Sequence, residues 1–215
     1  MNIEPVAVFR SPLPEKFGIP RQSGIAVSLK GEVVLEPAYR GSEILRGLEG
    51  FDYIWLIWGF SLNDASADGR TTVRPPRLGG NTRVGIFASR SPFRPNPLGL
   101  SCVRIDRIGP ESISVLGADL ADGTPIYDIK PYLPYADAHP GARGGYTDSH
   151  TFSELKVELP ETLEKELGDN AQALREVLAA DPRPAYQDDP LRIYAFDFGG
   201  RTIRFRVKEG TLTVL

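Results

Sequence analysis

The sequence predicts a mainly β fold, an all-β barrel or sandwich over residues 3 to about 140 followed by a small α+β unit. Three observations carry this. Short runs rich in Val, Ile and aromatic residues alternate with Gly/Pro clusters through the first part of the chain, the pattern of paired strands. A Gly-rich joint, Pro140 to Ser149 (PGARGGYTDS), separates that part from the rest. Beyond the joint a helical spacing of apolar residues is followed by two strand-like runs around a Gly-Gly turn.

Taken in order, strands are expected at Ile3–Phe9, Glu32–Leu35, Tyr53–Phe60, Arg83–Ala88, Leu100–Ile108, Ser112–Leu120 and Pro125–Ile129. Tyr53–Phe60 (YIWLIWGF) is the longest apolar run, far too short for a bilayer, and reads as a central strand. A short helix fits Ser42–Leu48, with Ser42 as N-cap and Gly50 after its end. After the joint, Phe152–Leu159 reads as a strand. Asp169–Ala180 reads as a helix capped by Asp169, with Leu174, Val177 and Leu178 on one face, and Asp181-Pro182 stops it. Arg192–Phe198 and Thr202–Lys208, joined by Gly199-Gly200, form a hairpin signal. A unit of about 65 residues needs support from the first domain to be stable.

Composition narrows the classes. With 215 residues, 41% hydrophobic and 25% charged, the chain is an ordinary globular protein, one large domain or a medium one plus a small one. The N-terminus has no basic flank leading into an apolar stretch, so a cytoplasmic location is expected. The single cysteine, Cys102, excludes an internal disulfide and reads as a small buried apolar residue. A net charge of −3 argues against bulk binding of nucleic acid. The distribution argues otherwise: 19 of the 25 basic residues are arginine, and seven of them fall between Arg70 and Arg104 with no Asp, Glu or Lys among them. A second basic group comprises Arg192, Arg201, Arg204, Arg206 and Lys208. Arginine suits bidentate contact with phosphate or carboxylate, so an anionic partner is expected.

Several chemistries are disfavoured. His139 and His150 flank the joint without metal-ligand spacing, so no metal is expected. There is neither a GxGxxG nor a Walker loop, and no serine sits in GxSxG. What remains is a set of stiff polar loops. Thr82 to Ser101 (TRVGIFASRSPFRPNPLGLS) opens like a buried strand. Pro92, Pro95 and Pro97 then hold a defined path from which Arg90, Arg94 and Asn96 project. Ile19 to Gly24 is a rigid turn carrying Arg21 and Gln22. Asp119 to Pro125 contains the Asp122-Gly123 turn, which by itself reads as a hairpin corner. In Asp128 to Asp137 (DIKPYLPYAD), Asp128 and Lys130 point the same way on a strand, ahead of two Pro-aromatic steps that suit gripping a planar base.

These loops, with Asp181-Pro182-Arg183-Pro184-Ala185-Tyr186, closely resemble the TsaA/TrmO-like family over nearly the whole chain. The resemblance implies an S-adenosylmethionine-dependent tRNA methyltransferase acting on the amino nitrogen of threonylcarbamoyl-adenosine beside the anticodon. It also implies a homodimer and a β-barrel domain over 1–140 that holds the cofactor, with a small C-terminal domain over 151–215. Carried over by motif, cofactor contacts would come from Pro20, Arg21, Gln22, Phe60, Ser61, Arg90, the backbone near Leu100, and Leu120, Ala121, Asp122, Gly123 and Thr124. Ser61 stands where relatives often carry histidine. Asp128, with Asn96, would accept from the target amine, Lys130 would orient Asp128 or meet the threonyl carboxylate, and Tyr132 would stack. Arg94, Arg183, Tyr186, Arg201, Arg204 and Arg206 would hold tRNA. A non-catalytic RNA-binding module is the alternative reading.

Overall fold

The computed structural model describes residues 2–63, 71–75, 82–149, 153–184, 187 and 189–215. The chain is mainly β. In order it forms β1 (Ala7–Arg10), β2 (Lys30–Leu35), β3 (Tyr53–Gly59), β4 (Thr72–Val73), β5 (Val84–Gly85), β6 (Leu98–Ile108), β7 (Ser112–Leu116) and β8 (Pro125–Pro131). A four-residue helix α1 (Pro134–Asp137) leads to β9 (Lys156–Glu158), α2 (Glu161–Leu167), α3 (Asn170–Ala179), β10 (Tyr194–Phe198), β11 (Arg201–Lys208) and β12 (Thr211–Val214). Six strands hydrogen-bond in the order β1-β2-β7-β6-β3-β8, and β8 returns to β1, so the sheet closes on itself.

Alternation along each strand sorts side chains between the inside and the outside of this ring. Phe9, Val33, Ile54, Leu56, Val103, Ile113, Val115 and Ile126 fill the interior. Each such side chain gains roughly 1.5–3 kcal/mol by leaving water. A bulge where β3 passes β8 pairs Ile57 with Asp128 but Trp58 with Ile126, leaving Tyr127 as the extra residue. The bulge turns Asp128 and Lys130 outward, beside Ile57 and Trp55.

The second core unites both parts of the chain. Leu174, Val177 and Leu178 of α3 pack against Tyr194, Phe196, Phe198, Ile203, Phe205 and Leu212, joined there by Leu13, Ala26 and Leu29 from the segment between β1 and β2. Phe17 lies among the rings of Tyr194, Phe196 and Phe205, with centroids 6.1–6.3 Å away. Glu176 accepts from the Ser28 amide and hydroxyl at 2.7 and 2.8 Å, and Lys30 meets Asp169 at 3.5 Å. The small unit therefore takes the support it needs from residues 11–30.

Several expectations need correction. Arg83–Ala88 is not a buried strand: only Val84–Gly85 pairs, with β4, before a 3-10 turn at Ile86–Ala88 that leaves Phe87 80% exposed. Ser42–Gly47 is a run of turns ending in a 3-10 turn, Leu48–Gly50, because Gly41 and Gly47 both adopt left-handed φ and bracket too few residues to propagate a helix. Asp169 makes no capping bond, its carboxylate being turned to Lys30. Helix α2 and strand β12, which runs parallel to β9, have no clear signal in the sequence, the first because its face is mostly charged. The Gly199-Gly200 hairpin is as expected, with both glycines at positive φ. His150, Phe152 and Tyr186 lie outside the described residues, as do Ala185 and most of the arginine-bearing stretch 64–81.

Gly18 shows how tightly the two parts interlock. Its φ is +100°, and a Cβ there would come 2.5 Å from the Phe196 ring. Gly18→Ala is expected to destabilise the protein by about 2–4 kcal/mol from backbone strain plus overpacking. Gly210→Ala, at φ +74° in open space, should cost only about 1–2 kcal/mol. Urea unfolding midpoints of the two variants measure the difference.

Candidate active site

One rim of the barrel gathers loops that are far apart in the sequence. The Pro20-Arg21-Gln22 turn reaches the proline-rich loop directly, Arg90 donating from Nη1 to Gln22 Oε1 at 2.6 Å. Gln22 in turn donates to the Arg21 carbonyl at 2.5 Å, so both ends of its amide are engaged. Gly24 donates to the Gly117 carbonyl at 2.8 Å, tying this turn to the connection between β7 and β8.

At the foot of the rim lies Asp119, which nothing in the sequence marks beyond its place at the start of a turn. Ser101 donates to its Oδ1 at 2.5 Å, and Trp58 donates from Nε1 to Ser101 Oγ at 2.9 Å. Burial pushes the Asp119 carboxyl above the usual carboxylate range. The Ser101 hydroxyl, its own and the Ser23 backbone N–H and the charge of Arg90 oppose that shift. Trp58 extends the network to Phe60, whose ring meets it edge-on at 4.4 Å, and lies flat across Gly99, where no side chain would fit.

Next to Phe60 is a cleft lined by Ser61, Asn96, Leu98, Pro125 and Tyr127. Phe60 donates to the Pro97 carbonyl at 3.0 Å, so the end of β3 sets the path of the proline loop. Serines stiffen that loop further. Ser89 and Ser91 hydroxyls accept from the amides of Ser91 and Phe93, and Arg94 donates to the Ser89 carbonyl at 3.3 Å. Around Leu100, β6 has a ladder on one side only, because it pairs with β3 over Leu98–Arg104 but with β7 over Arg104–Ile108.

The Leu120 to Thr124 segment divides into two roles. Leu120, Ala121 and Thr124 are buried, and Asp122 accepts from the Ser11 amide at 3.1 Å beside Arg10. It is not a hairpin corner: β7 and β8 are not neighbours in the sheet. Asp122 is half-buried and Gly123 is exposed.

Asp128, Lys130 and Tyr132 occupy the outer barrel face, with Ile57 standing between Asp128 and Leu100 in register. Lys130 meets Asp128 at 2.8 Å, and the other Asp128 oxygen accepts from the Ile129 amide at 2.9 Å. Tyr132 packs against Tyr53 and Trp55, with centroids 6.2 and 5.9 Å away. Asp137 accepts from the Leu133 amide and from Trp55 Nε1, and these bonds hold its carboxyl below the usual range. Cys102 is half-buried across from Trp55, its thiol pushed up chiefly by burial.

The basic residues of the C-terminal unit separate. Arg204 and Arg206 share an exposed row with Lys208. Arg201 lies on the opposite face of β11 and donates to Glu166 of α2 at 2.6 Å. Arg183 is 10% exposed, its guanidinium clasped by Asp181. Among the described residues, the arginines expected to hold tRNA therefore do not form one surface. Among the described residues, no group of His, Cys, Asp and Glu could hold a metal ion, and no helix is long and apolar enough to cross a membrane.

A closed barrel with stiff, arginine-bearing loops over one rim is a ligand-binding scaffold unlike the α/β nucleotide-binding folds. The N-terminal domain of tRNA-methyltransferase O matches residues 8–138, and its C-terminal domain matches residues 151–215. The chain belongs to the tRNA-methyltransferase O family. It is 41% identical over 226 aligned residues to the tRNA (adenine(37)-N6)-methyltransferase of Escherichia coli, covering 99% of this chain and 96% of that one. A Pseudomonas aeruginosa protein designated a candidate S-adenosylmethionine-dependent methyltransferase is 41% identical over 90% of this chain and 87% of its own. The crystal structure of TrmO from Pseudomonas aeruginosa superposes with a TM-score of 0.81 at 30% identity, covering 100% of this chain and 97% of that one.

The raised Asp119 carboxyl fixes the sign of a pH effect. Between the ordinary carboxylate range and its native value, the folded state binds more protons than the unfolded one, so stability falls as pH rises through that window. Asp119→Asn should remove this component. Urea unfolding at a series of pH values should give a wild-type-minus-variant stability that declines above pH ~4 and then levels off.

Proposed function

We propose that the protein transfers a methyl group from S-adenosylmethionine to N6 of adenosine at position 37 of tRNA, with threonylcarbamoyl-adenosine as the base modified. The observation that carries this reading is the convergence of Gln22, Arg90, Phe60, Ser61 and Asn96 at one rim of the barrel, in a chain whose full length matches a tRNA (adenine(37)-N6)-methyltransferase.

The residues present fit the cofactor. Arg90 offers a guanidinium for a carboxylate, Asp119 a half-buried carboxyl hydrogen-bonded to Ser101, Phe60 an aromatic wall, and the main chain near Leu100 unladdered donors and acceptors. Pro20, Arg21 and Gln22 form one lip of the site, and Ser61 and the Leu120–Thr124 segment the others. Bound there, S-adenosylmethionine supplies an electrophilic methyl group, so the protein's work is alignment and handling of a proton. N6 of threonylcarbamoyl-adenosine is a poor nucleophile, its lone pair being drawn into both the ring and the carbamoyl group. Asp128 or Asn96 accepts from its single N–H, and Asp128 takes the proton as the new bond forms. Lys130 holds Asp128 in place, as their 2.8 Å contact suggests, or meets the threonyl carboxylate. Tyr132 stacks with the base.

Residues 1–140 serve as the cofactor-binding and catalytic barrel and 151–215 as the tRNA platform, a division the two family matches support. Arg204 and Arg206 are best placed for phosphates, with Arg94 on the barrel side; Arg201, engaged by Glu166, is the weaker member. The protein works as a cytoplasmic homodimer. Tyr53, Leu100 and Tyr135 are exposed apolar side chains that a second copy would cover.

Mass spectrometry of anticodon-loop nucleosides, after incubation with cofactor and bulk tRNA, is expected to show one added methyl on the modified adenosine; binding of tRNA without methylation would favour a non-catalytic module. Asp128→Asn should lower the methylation rate about a hundredfold or more with cofactor affinity unchanged in calorimetry. Arg204→Ala should weaken tRNA binding and reduce the slope of log K against log salt by about one, read by filter binding at several salt concentrations.

A further inference from the structure

The Asp181-Pro182-Arg183 corner belongs to the C-terminal unit, yet its polar groups turn toward the barrel. Asp181 takes left-handed backbone at φ 50°, a conformation aspartate tolerates better than most residues. Its carboxylate accepts from the Arg183 amide at 3.2 Å and from Arg183 Nε and Nη2, each at 2.9 Å. Pro182 fixes its own φ, and Pro184 keeps Arg183 from helical backbone. The Arg183 carbonyl is thus aimed by a bidentate side chain and two prolines. It accepts from Arg21 Nη2 at 2.9 Å.

Arg21 is itself partly withdrawn from water. Burial lowers its pKa, and the charge of Asp181 opposes that shift. Its carbonyl receives the Gln22 amide, and Gln22 Oε1 receives Arg90. A continuous relay therefore runs from Asp181 through Arg183, Arg21 and Gln22 to Arg90. A guanidinium 10% exposed and clasped by its own turn is poorly placed to hold a phosphate.

We propose that Asp181 and Arg183 are positioning residues for the cofactor loop: the C-terminal unit, through the Arg183 carbonyl, sets Arg21 and so the direction of Gln22 and Arg90. This rests on the reading of Gln22 and Arg90 as cofactor residues. Without the corner, Arg21 and Gln22 sample several rotamers, and ligand binding must bear the cost of ordering them.

Calorimetry with S-adenosylmethionine, paired with salt-dependent tRNA binding, tests this on the full chain. Arg183→Ala and Asp181→Asn are expected to weaken cofactor binding about three- to tenfold with the tRNA salt slope unchanged. The double variant of Arg183→Ala with Gln22→Ala should lose no more than Gln22→Ala alone, because the corner acts through Gln22; a merely structural defect would add. If Arg183→Ala does not fold, Asp181→Asn carries the test, asparagine being at ease in left-handed backbone. The inference is overturned by additive losses, by unchanged cofactor affinity where Arg90→Ala loses it, or by a salt slope reduced by about one with cofactor affinity intact. If Arg90→Ala and Gln22→Ala themselves leave cofactor affinity unchanged, the reading of the site falls, and this inference with it.

Discussion

Much of the site depends on one half-buried carboxylate. Asp119 sits where β6, the 20–24 turn and the proline loop come together, and it is held by groups from all three: the Ser101 hydroxyl, the Ser23 amide and the charge of Arg90. A carboxylate withdrawn from water is tolerable only with such partners, so each of them is fixed by the need to satisfy it. Trp58 joins through Ser101, and through Trp58 the ring of Phe60 is set. The polar groups of the rim are thus aligned by a network anchored inside the barrel, a geometry that surface loops alone could not hold.

The second constraint is that the C-terminal unit has no independent core. Its sheet and α3 bury Leu13, Ala26 and Leu29 from the segment just after β1, and Phe17 completes its aromatic cluster. The same segment then supplies Pro20, Arg21 and Gln22 to the rim. A stretch that packs in one core at Leu13 and Phe17, and again at Ala26 and Leu29, leaves the turn between little freedom to move. Family membership says that such a chain carries two domains; the packing says that the turn carrying Arg21 and Gln22 is set by both.

Methyl transfer from an activated donor asks for alignment above all. The proline loop answers that need by covalent means, with three prolines and a series of serine-capped turns. The relay through Arg21 and Gln22 answers it by hydrogen bonding. These devices differ in kind: the first is local to one loop, whereas the second passes through the Arg183 carbonyl of the C-terminal unit.

The sequence by itself determined the mainly β class, the central strand at Tyr53–Gly59, helix α3 and the Gly199-Gly200 hairpin, since each has a local cause in periodicity or turn chemistry. It also marked the loops bearing Arg90, Asn96, Gln22 and Asp128, because prolines and planar polar side chains are visible without a fold. It misread Arg83–Ala88 and Ser42–Leu48, where local apolar runs were outweighed by 3-10 turns and left-handed glycines. It gave no hint of α2, whose surface is mostly charged. Tertiary structure alone decided which of the marked residues stand exposed at the rim and which are spent in the interior. Thr124 and Leu120 are interior and the Arg183 carbonyl is met by Arg21, while Asp119, unremarkable in sequence, became the anchor. The physical reason is that burial and charge compensation depend on what a residue meets across the fold, and those neighbours lie about 20 to 160 positions away.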